Sequence, residues 1–240
     1  MWPRLRLLSV GNMSISGVEK IAGGAAVTGA VAQLVATVLE PDWGGDDVAG
    51  VARVVAGTKL WNADRVLDLV GTLLAVAALN VVDRRLVRSG SEWPRLAQPF
   101  LFLVAAFGGV AVAGGAAIQT MATSWQHADP QLSAAYLASF DSVRRITEDV
   151  FAAAFLALGL YLVLLSASVL TTSAFAHWVG WCAGAAGILV VTGDLLSIRV
   201  DAAFLLVLVG FALFLVVVFV LGLSLWRNAA REPVAPGHRP

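Results

Sequence analysis

Residues 144–170, RRITEDVFAAAFLALGLYLVLLSASVL, divide sharply in two. Four of the first six side chains are charged, and the next twenty-one, 150–170, carry no charge at all. As a helix rising 1.5 Å per residue, that uncharged run is about 30 Å long, the thickness of a bilayer's hydrocarbon core. It reads as a membrane span. Its charged preface is either the solvated rim of that span or a site at its mouth.

The same reading finds five more uncharged runs, at 21–39, 63–82, 100–121, 178–198 and 202–226. The run at 63–82 is the least clean, because Asp64, Arg65 and Asp68 fall in its first two turns. Composition agrees with a membrane protein: 59% of residues are hydrophobic and 13% charged, with a mean hydropathy of +0.82. A water-covered globular surface needs about twice that share of charge. The expected fold is all-α, a polytopic bundle of six transmembrane helices. A short segment 1–16 precedes the membrane domain 17–227, and a polar, proline-rich tail 228–240 reads as disordered. The opening MWPRLRLLSVGN has too short an apolar part for a cleaved signal peptide. Met1 and Met13 are both possible starts, and either leaves the first span intact.

Charge fixes an expected orientation. With the N-terminus inside, ten of the sixteen Lys and Arg residues lie on the inner side, against six on the outer side. Twelve of the sixteen acids fall outside. The positive-inside rule then makes both termini cytoplasmic. Fourteen arginines against Lys20 and Lys59 suggest a GC-rich coding sequence, hence a bacterial inner membrane. Trp178, Trp181 and Trp226 fall at inner span ends and Trp61 and Trp125 at outer ones, the interfacial habit of tryptophan. Apolar residues at helical spacing in 46–59 and 130–143 predict two short amphipathic helices in the outer loops, lying on the membrane surface or packed over the span ends.

Small residues let membrane helices approach closely. They concentrate in GGAAVTGA (23–30), GGVAVAGGAA (108–117) and GWCAGAAG (180–187), where Gly180 and Gly184 form GxxxG. These spans are expected at the centre, with the bulkier sixth facing lipid or another membrane protein. Arg65-x-x-Asp68 and Arg145-x-x-Glu148 open the second and fourth spans alike, as a duplicated hairpin would place them. The stretch FLALGLYLVLLSASVLTTSAFAHWVGWCAGAAGILVVTGD (155–194), with its aromatic-Gly-aromatic step Trp178–Trp181, resembles a broad group of uncharacterised bacterial six-span membrane proteins known only as a domain of unknown function. That resemblance implies the six-span topology and carries no activity with it.

Candidate site residues lie near the outer boundary. On a helix Arg144 meets Glu148, Arg145 meets Glu148 and Asp149, and Asp141 reaches both arginines. Asp68 and Asp194 each lie about one turn below the outer edge, where a carboxylate is costly without a partner. Asp64 shares a helix face with Asp68, and two close carboxylates resist joint ionisation unless a cation lies between them. Asp64, Asp68, Arg145, Glu148, Asp194 and Arg199 therefore form the candidate set. One reading is a vestibule for a cation, a proton or a small basic solute. The other is an Arg–Asp network clamping spans two, four and five.

Other chemistry has less to stand on. Cys182 is alone, so thiolate metal sites and CxxC redox chemistry are excluded, and it reads as a small core residue. No span holds two histidines, against a bis-histidine haem. VVTGD (190–194) is similar to the Gly-Asp step of membrane aspartyl proteases, with Val191 where that motif has Gly and Asp68 as the required second aspartate. Phosphate-cradling Gly-rich loops are absent. The expectation is a non-catalytic accessory or structural membrane protein without cofactor or metal, its partners the bilayer and another membrane protein met through the sixth span or outer loops. The alternatives are a solute or cation-coupled carrier or sensor, and an intramembrane enzyme. A zero net charge gives no reason to expect nucleic acid.

Overall fold

The computed structural model describes residues 15–40, 47–197 and 199–231. Seven α-helices follow one another: α1 (Ile15–Leu39), α2 (Val48–Gly57), α3 (Trp61–Arg88), α4 (Trp93–Gln126), α5 (Pro130–Leu170), α6 (His177–Ser197) and α7 (Phe204–Arg231), with a 3-10 turn Asp201–Ala203 before the last. Six of them, all but α2, are long and apolar enough to cross a membrane. Local chemistry marks their ends. Asp47 caps α2, its Oδ1 accepting from the Gly50 N–H at 3.0 Å. Pro94 and Pro130 stand in the first turns of α4 and α5, where the missing N–H removes no helical bond. Gly90, at φ +93°, turns the chain between α3 and α4 in a conformation that a side chain would oppose.

The six long helices form a closed ring. Each packs against its neighbours in chain order, α1–α3–α4–α5–α6–α7, and α7 packs back onto α1. α3 also reaches across to touch α5 and α7. The membrane core runs through this ring, with Leu79, Leu101, Tyr161, Leu162, Leu165, Leu221 and Leu225 fully buried.

Three junctions of the ring are made glycine on glycine. A Cβ at Gly23 of α1 would stand 2.6 Å from the carbonyl oxygen of Gly222 in α7. One at Gly29 would stand 2.9 Å from the Gly71 oxygen of α3, and one at Gly187 of α6 2.7 Å from the Gly159 oxygen of α5. Backbones this close gain dispersion that lipid tails cannot replace. The GxxxG glycines of α6 also lie toward α5, Gly180 against Leu170 and Gly184 against Ser166.

The expected layout needs two corrections here. The sixth span, α7, is an integral stave of the ring, because Gly210 and Gly222 admit α6 and α1. Its lipid side is the row of exposed residues Leu205, Val209, Val216 and Trp226. Conversely, the glycine-rich third span is the least buried of the six, 22% against 39–44%. Gly109 has open space where its side chain would be.

α5 is about 62 Å long, twice the hydrocarbon thickness, and its uncharged run fills only the second half. The helical spacing at 130–143 is thus real, but the segment is the first third of α5 and no separate helix. Nothing between 143 and 150 breaks a helix, and the charges there pair along it. This half, the end of α4, the start of α3 and α2 build a head with its own core of Val55, Trp61, Ile118 and Phe140. α2 is the amphipathic loop helix expected from 46–59, and it packs over the ends of α4 and α5. Trp61 is accordingly not interfacial: it is fully buried, and its Nε1–H donates to the Gly115 carbonyl at 2.8 Å. Trp178, Trp181 and Trp226 are exposed at the opposite end, as expected of an aromatic belt. The tail reading from 228 is shortened, since α7 continues to Arg231; residues 1–14 and 232–240 lie outside the described residues.

Candidate functional site

The head meets the bundle at Arg65. Its side chain is 4% exposed, and Nη2 pairs with Glu40 at the end of α1. The guanidinium lies 4.6 Å from the Trp61 ring centroid and 5.9 Å from that of Phe151, in the range of cation–π attraction. Gly115 of α4 gives it room, since a Cβ there would come within 3.0 Å of Arg65 Cδ. Asp64, also buried, has its Oδ2 3.7 Å from Arg65 Nε. This pair ties span two to span one through Glu40, which is not the expected Arg–Asp network across spans two, four and five. Glu40 is one past the first apolar run, and nothing in the sequence ties it to Arg65.

Asp68, one turn deeper on α3, stands in no ion pair among the described residues. It faces a cavity of about 80 Å³ inside the ring. Gln33 of α1 and Thr72 of α3 share that cavity, the Gln33 amide N–H donating to Thr72 Oγ1 at 2.6 Å. Gln33 Oε1 is buried without a hydrogen-bond partner among the described residues. Phe151, Phe155, Phe211 and Phe214 supply the aromatic wall. Ala75, Leu79, Leu101 and Leu158 line the rest. The chamber therefore offers acceptors and π faces, with no cation of its own in contact. It has room for one small ion or about two waters, at roughly 30 Å³ per water.

The remaining candidates are not brought to it. Arg144 and Arg145 pair along α5: Arg144 with Asp141 at 3.0 Å and Glu148 at 2.8 Å, and Arg145 with Asp141 at 2.9 Å. The expected pairing of Arg145 with Glu148 and Asp149 is not formed, because Asp141 takes Arg145 first. Arg145 is exposed and Glu148 part-exposed; within RRITED itself Arg144 pairs with Glu148, while Arg145 turns back to Asp141. The Arg65 and Arg145 steps are also unlike, one buried between helices and one in solvent. Asp194 lies on α6, across the ring from α3, and is half-buried without an ion pair among the described residues; Arg199 is exposed. Asp194 is not among the residues that line the cavity at Asp68. Among the described residues no three His, Cys, Asp or Glu side chains converge as metal ligands.

Two buried acids at the other end of the bundle escaped the sequence reading, which counted them only as inner-side charge. Glu19 of α1 is held by Arg85 and Arg88 of α3, each at 3.0 Å. Asp83 is 6% exposed and accepts from the Tyr161 hydroxyl of α5 at 3.2 Å, while its Oδ2 has no partner among the described residues. The signal was present in the i,i+4 stripe Asp68, Thr72, Val76, Asn80 and its neighbours Leu79 and Asp83, which keeps one side of α3 toward the interior.

No protein family, curated protein or solved structure matches this chain. Its own features define a multi-pass α-helical membrane protein, with the bilayer as its surroundings.

Proposed function

We propose that this protein binds a small monovalent cation of the ammonium class in the Asp68 chamber, as a non-catalytic carrier or sensor in the membrane. The observation that carries the reading is the division of labour on α3. Arg65 is neutralised by Glu40, so the Asp68 carboxylate is left to the cavity with Gln33 Oε1 and four phenylalanines. A cation there gains a charge partner, an amide oxygen and aromatic faces together.

The test is thermal unfolding in detergent with methylammonium chloride against choline chloride at equal ionic strength. Wild-type protein is expected to be stabilised by methylammonium, by about 1.4 kcal/mol at ten times its Kd. Asp68→Asn should lose that increment while keeping its baseline within about 1 kcal/mol, as it breaks no ion pair. Asp194→Asn should keep the increment. Equal stabilisation of wild type and Asp68→Asn would sink the reading.

An accessory role is the second reading, and one observation favours it. The exposed side of α4 presents Ala106, Ala113 and Ala116 around the open Gly109, a surface another helix can approach closely. For placement we infer a bacterial inner membrane with the acidic, head-bearing end outside. The charge asymmetry supports the orientation, and the preference for arginine over lysine the bacterial origin. Reporter fusions at Gly90 and Pro130 should report opposite sides, inside and outside respectively; the same side from both would overturn the assignment.

A further inference from the structure

A second cavity, of about 500 Å³, opens at the basic end between the start of α1, the end of α3 and the start of α4. Its walls are apolar where Ile15, Val18, Val81 and Val87 line it, and Ile15 and Val18 are themselves exposed to the surroundings of the bundle. Arg84, Arg88 and Arg95 also line it. Their pairing differs. Arg95 bonds Glu92 at 2.7 Å and Arg88 bonds Glu19 at 3.0 Å. Arg84 forms no ion pair among the described residues and is exposed. The two carboxylates of the lining do not answer it. Glu19 is already shared by Arg85 and Arg88, and Asp83 is turned to Tyr161 with its other oxygen buried. Even with both ionised, the lining keeps an excess of positive charge.

We propose that this cavity is a binding site for one anionic phospholipid. The phosphate diester lies against Arg84 with Arg88 and Arg95 beside it, and an acyl chain follows the valine wall toward the hydrocarbon. Three features fit that occupant together. A guanidinium presents a fork of donors matched to phosphate oxygens. The apolar wall begins within one turn of the arginines, which is the separation of a lipid's headgroup from its chains. Basic pockets between helices at a membrane surface are the setting in which acidic headgroups are recognised. The chain's own residues 1–14 do not fit the charge of the site, since they carry Arg4 and Arg6 and no acid. A free inorganic phosphate would satisfy the arginines and leave the apolar wall unused.

The experiment uses the full-length protein, stripped of lipid in detergent. Thermal unfolding is followed against phosphatidylglycerol, phosphatidylcholine with the same chains, and inorganic phosphate. Phosphatidylglycerol is expected to raise the midpoint saturably, and the other two to leave it unmoved. Arg84→Gln should weaken the phosphatidylglycerol midpoint concentration about fivefold, the factor one arginine contributes at an anionic surface. Its lipid-free stability should be unchanged because no ion pair is lost. Arg53→Gln, which removes one exposed charge from α2 at the other end, should change nothing. Equal stabilisation by the two lipids would overturn the proposal, as would equal weakening by Arg84→Gln and Arg53→Gln, which is the mark of diffuse surface charge. Stabilisation by inorganic phosphate matching that of phosphatidylglycerol would overturn the lipid as occupant.

Discussion

Arg65→Leu is expected to destabilise the protein by about 3–5 kcal/mol, the range seen when one partner is taken from a buried ion pair. The loss has several sources that act on one spot. Glu40 loses its guanidinium, and Asp64, which is 2% exposed, loses the cation beside it. The Trp61 ring also loses a charge over its face, worth about 0.5–2 kcal/mol. Because Trp61 belongs to the head core and Glu40 to α1, the damage falls on the joint between head and bundle. Arg65→Lys should recover part of the loss, since an ammonium keeps the charge but not the planar stacking group. Arg145→Gln is the comparison, expected within about 1 kcal/mol of wild type, as its pair with Asp141 is on an exposed helix face. Unfolding midpoints in one detergent decide the matter. If Arg65→Leu is no worse than Arg145→Gln, Arg65 does not hold the joint.

Gly23→Val is the second substitution with a large expected effect, a loss of about 3 kcal/mol or more, at and beyond the upper end of the overpacking range. The first carbon of the new side chain would stand 2.6 Å from the Gly222 oxygen, 3.0 Å from the Trp226 nitrogen and 3.2 Å from its Cβ. Two of these are backbone atoms of a continuous helix and cannot rotate away. α1 and α7 must separate, and the ring opens at that junction. Gly109→Ala makes the opposite case. The site is open and helical, so alanine should raise stability by about 0.5–1 kcal/mol through its better helix propensity. Size-exclusion profiles and melting midpoints of the two variants separate close packing from glycine content as such. Similar behaviour of both would refute the junction argument.

Legibility of the sequence followed the kind of interaction involved. Burial of apolar side chains is a property of a run of residues, so six spans and their approximate limits were readable from 21–39 onward. Helix ends were not, because a helix does not stop where its apolar run stops. α3 continues to Arg88 with Arg85 and Arg88 tied to Glu19, and α5 begins at Pro130 in a head whose core is assembled from four separate segments. The site was half legible. Depth below the membrane surface singled out Asp68 and Asp194 equally, but depth says nothing of position around a ring, and the two stand on opposite sides of it. Glu40 was passed over because its partner is twenty-five residues away, a distance that only folding closes. Gln33 stands among apolar neighbours in the first span, and neither its bond to Thr72 nor the amide oxygen it leaves toward the Asp68 cavity is visible before the helices are packed.

The meeting of α1 with α7 has a consequence for how the molecule is made. A ribosome releases the first span long before the last, and every other junction of the ring joins helices consecutive in the membrane. The glycine face of α1 therefore waits in the bilayer, partnered on the α3 side only, until α7 has been synthesised. The final helix acts as the closing stave of a barrel, and until it arrives the interior of the others is open along one seam. Chains that stop short of α7 should be open to lipid and to proteolytic removal at that seam. The arrival of α7 is in this way registered by α1.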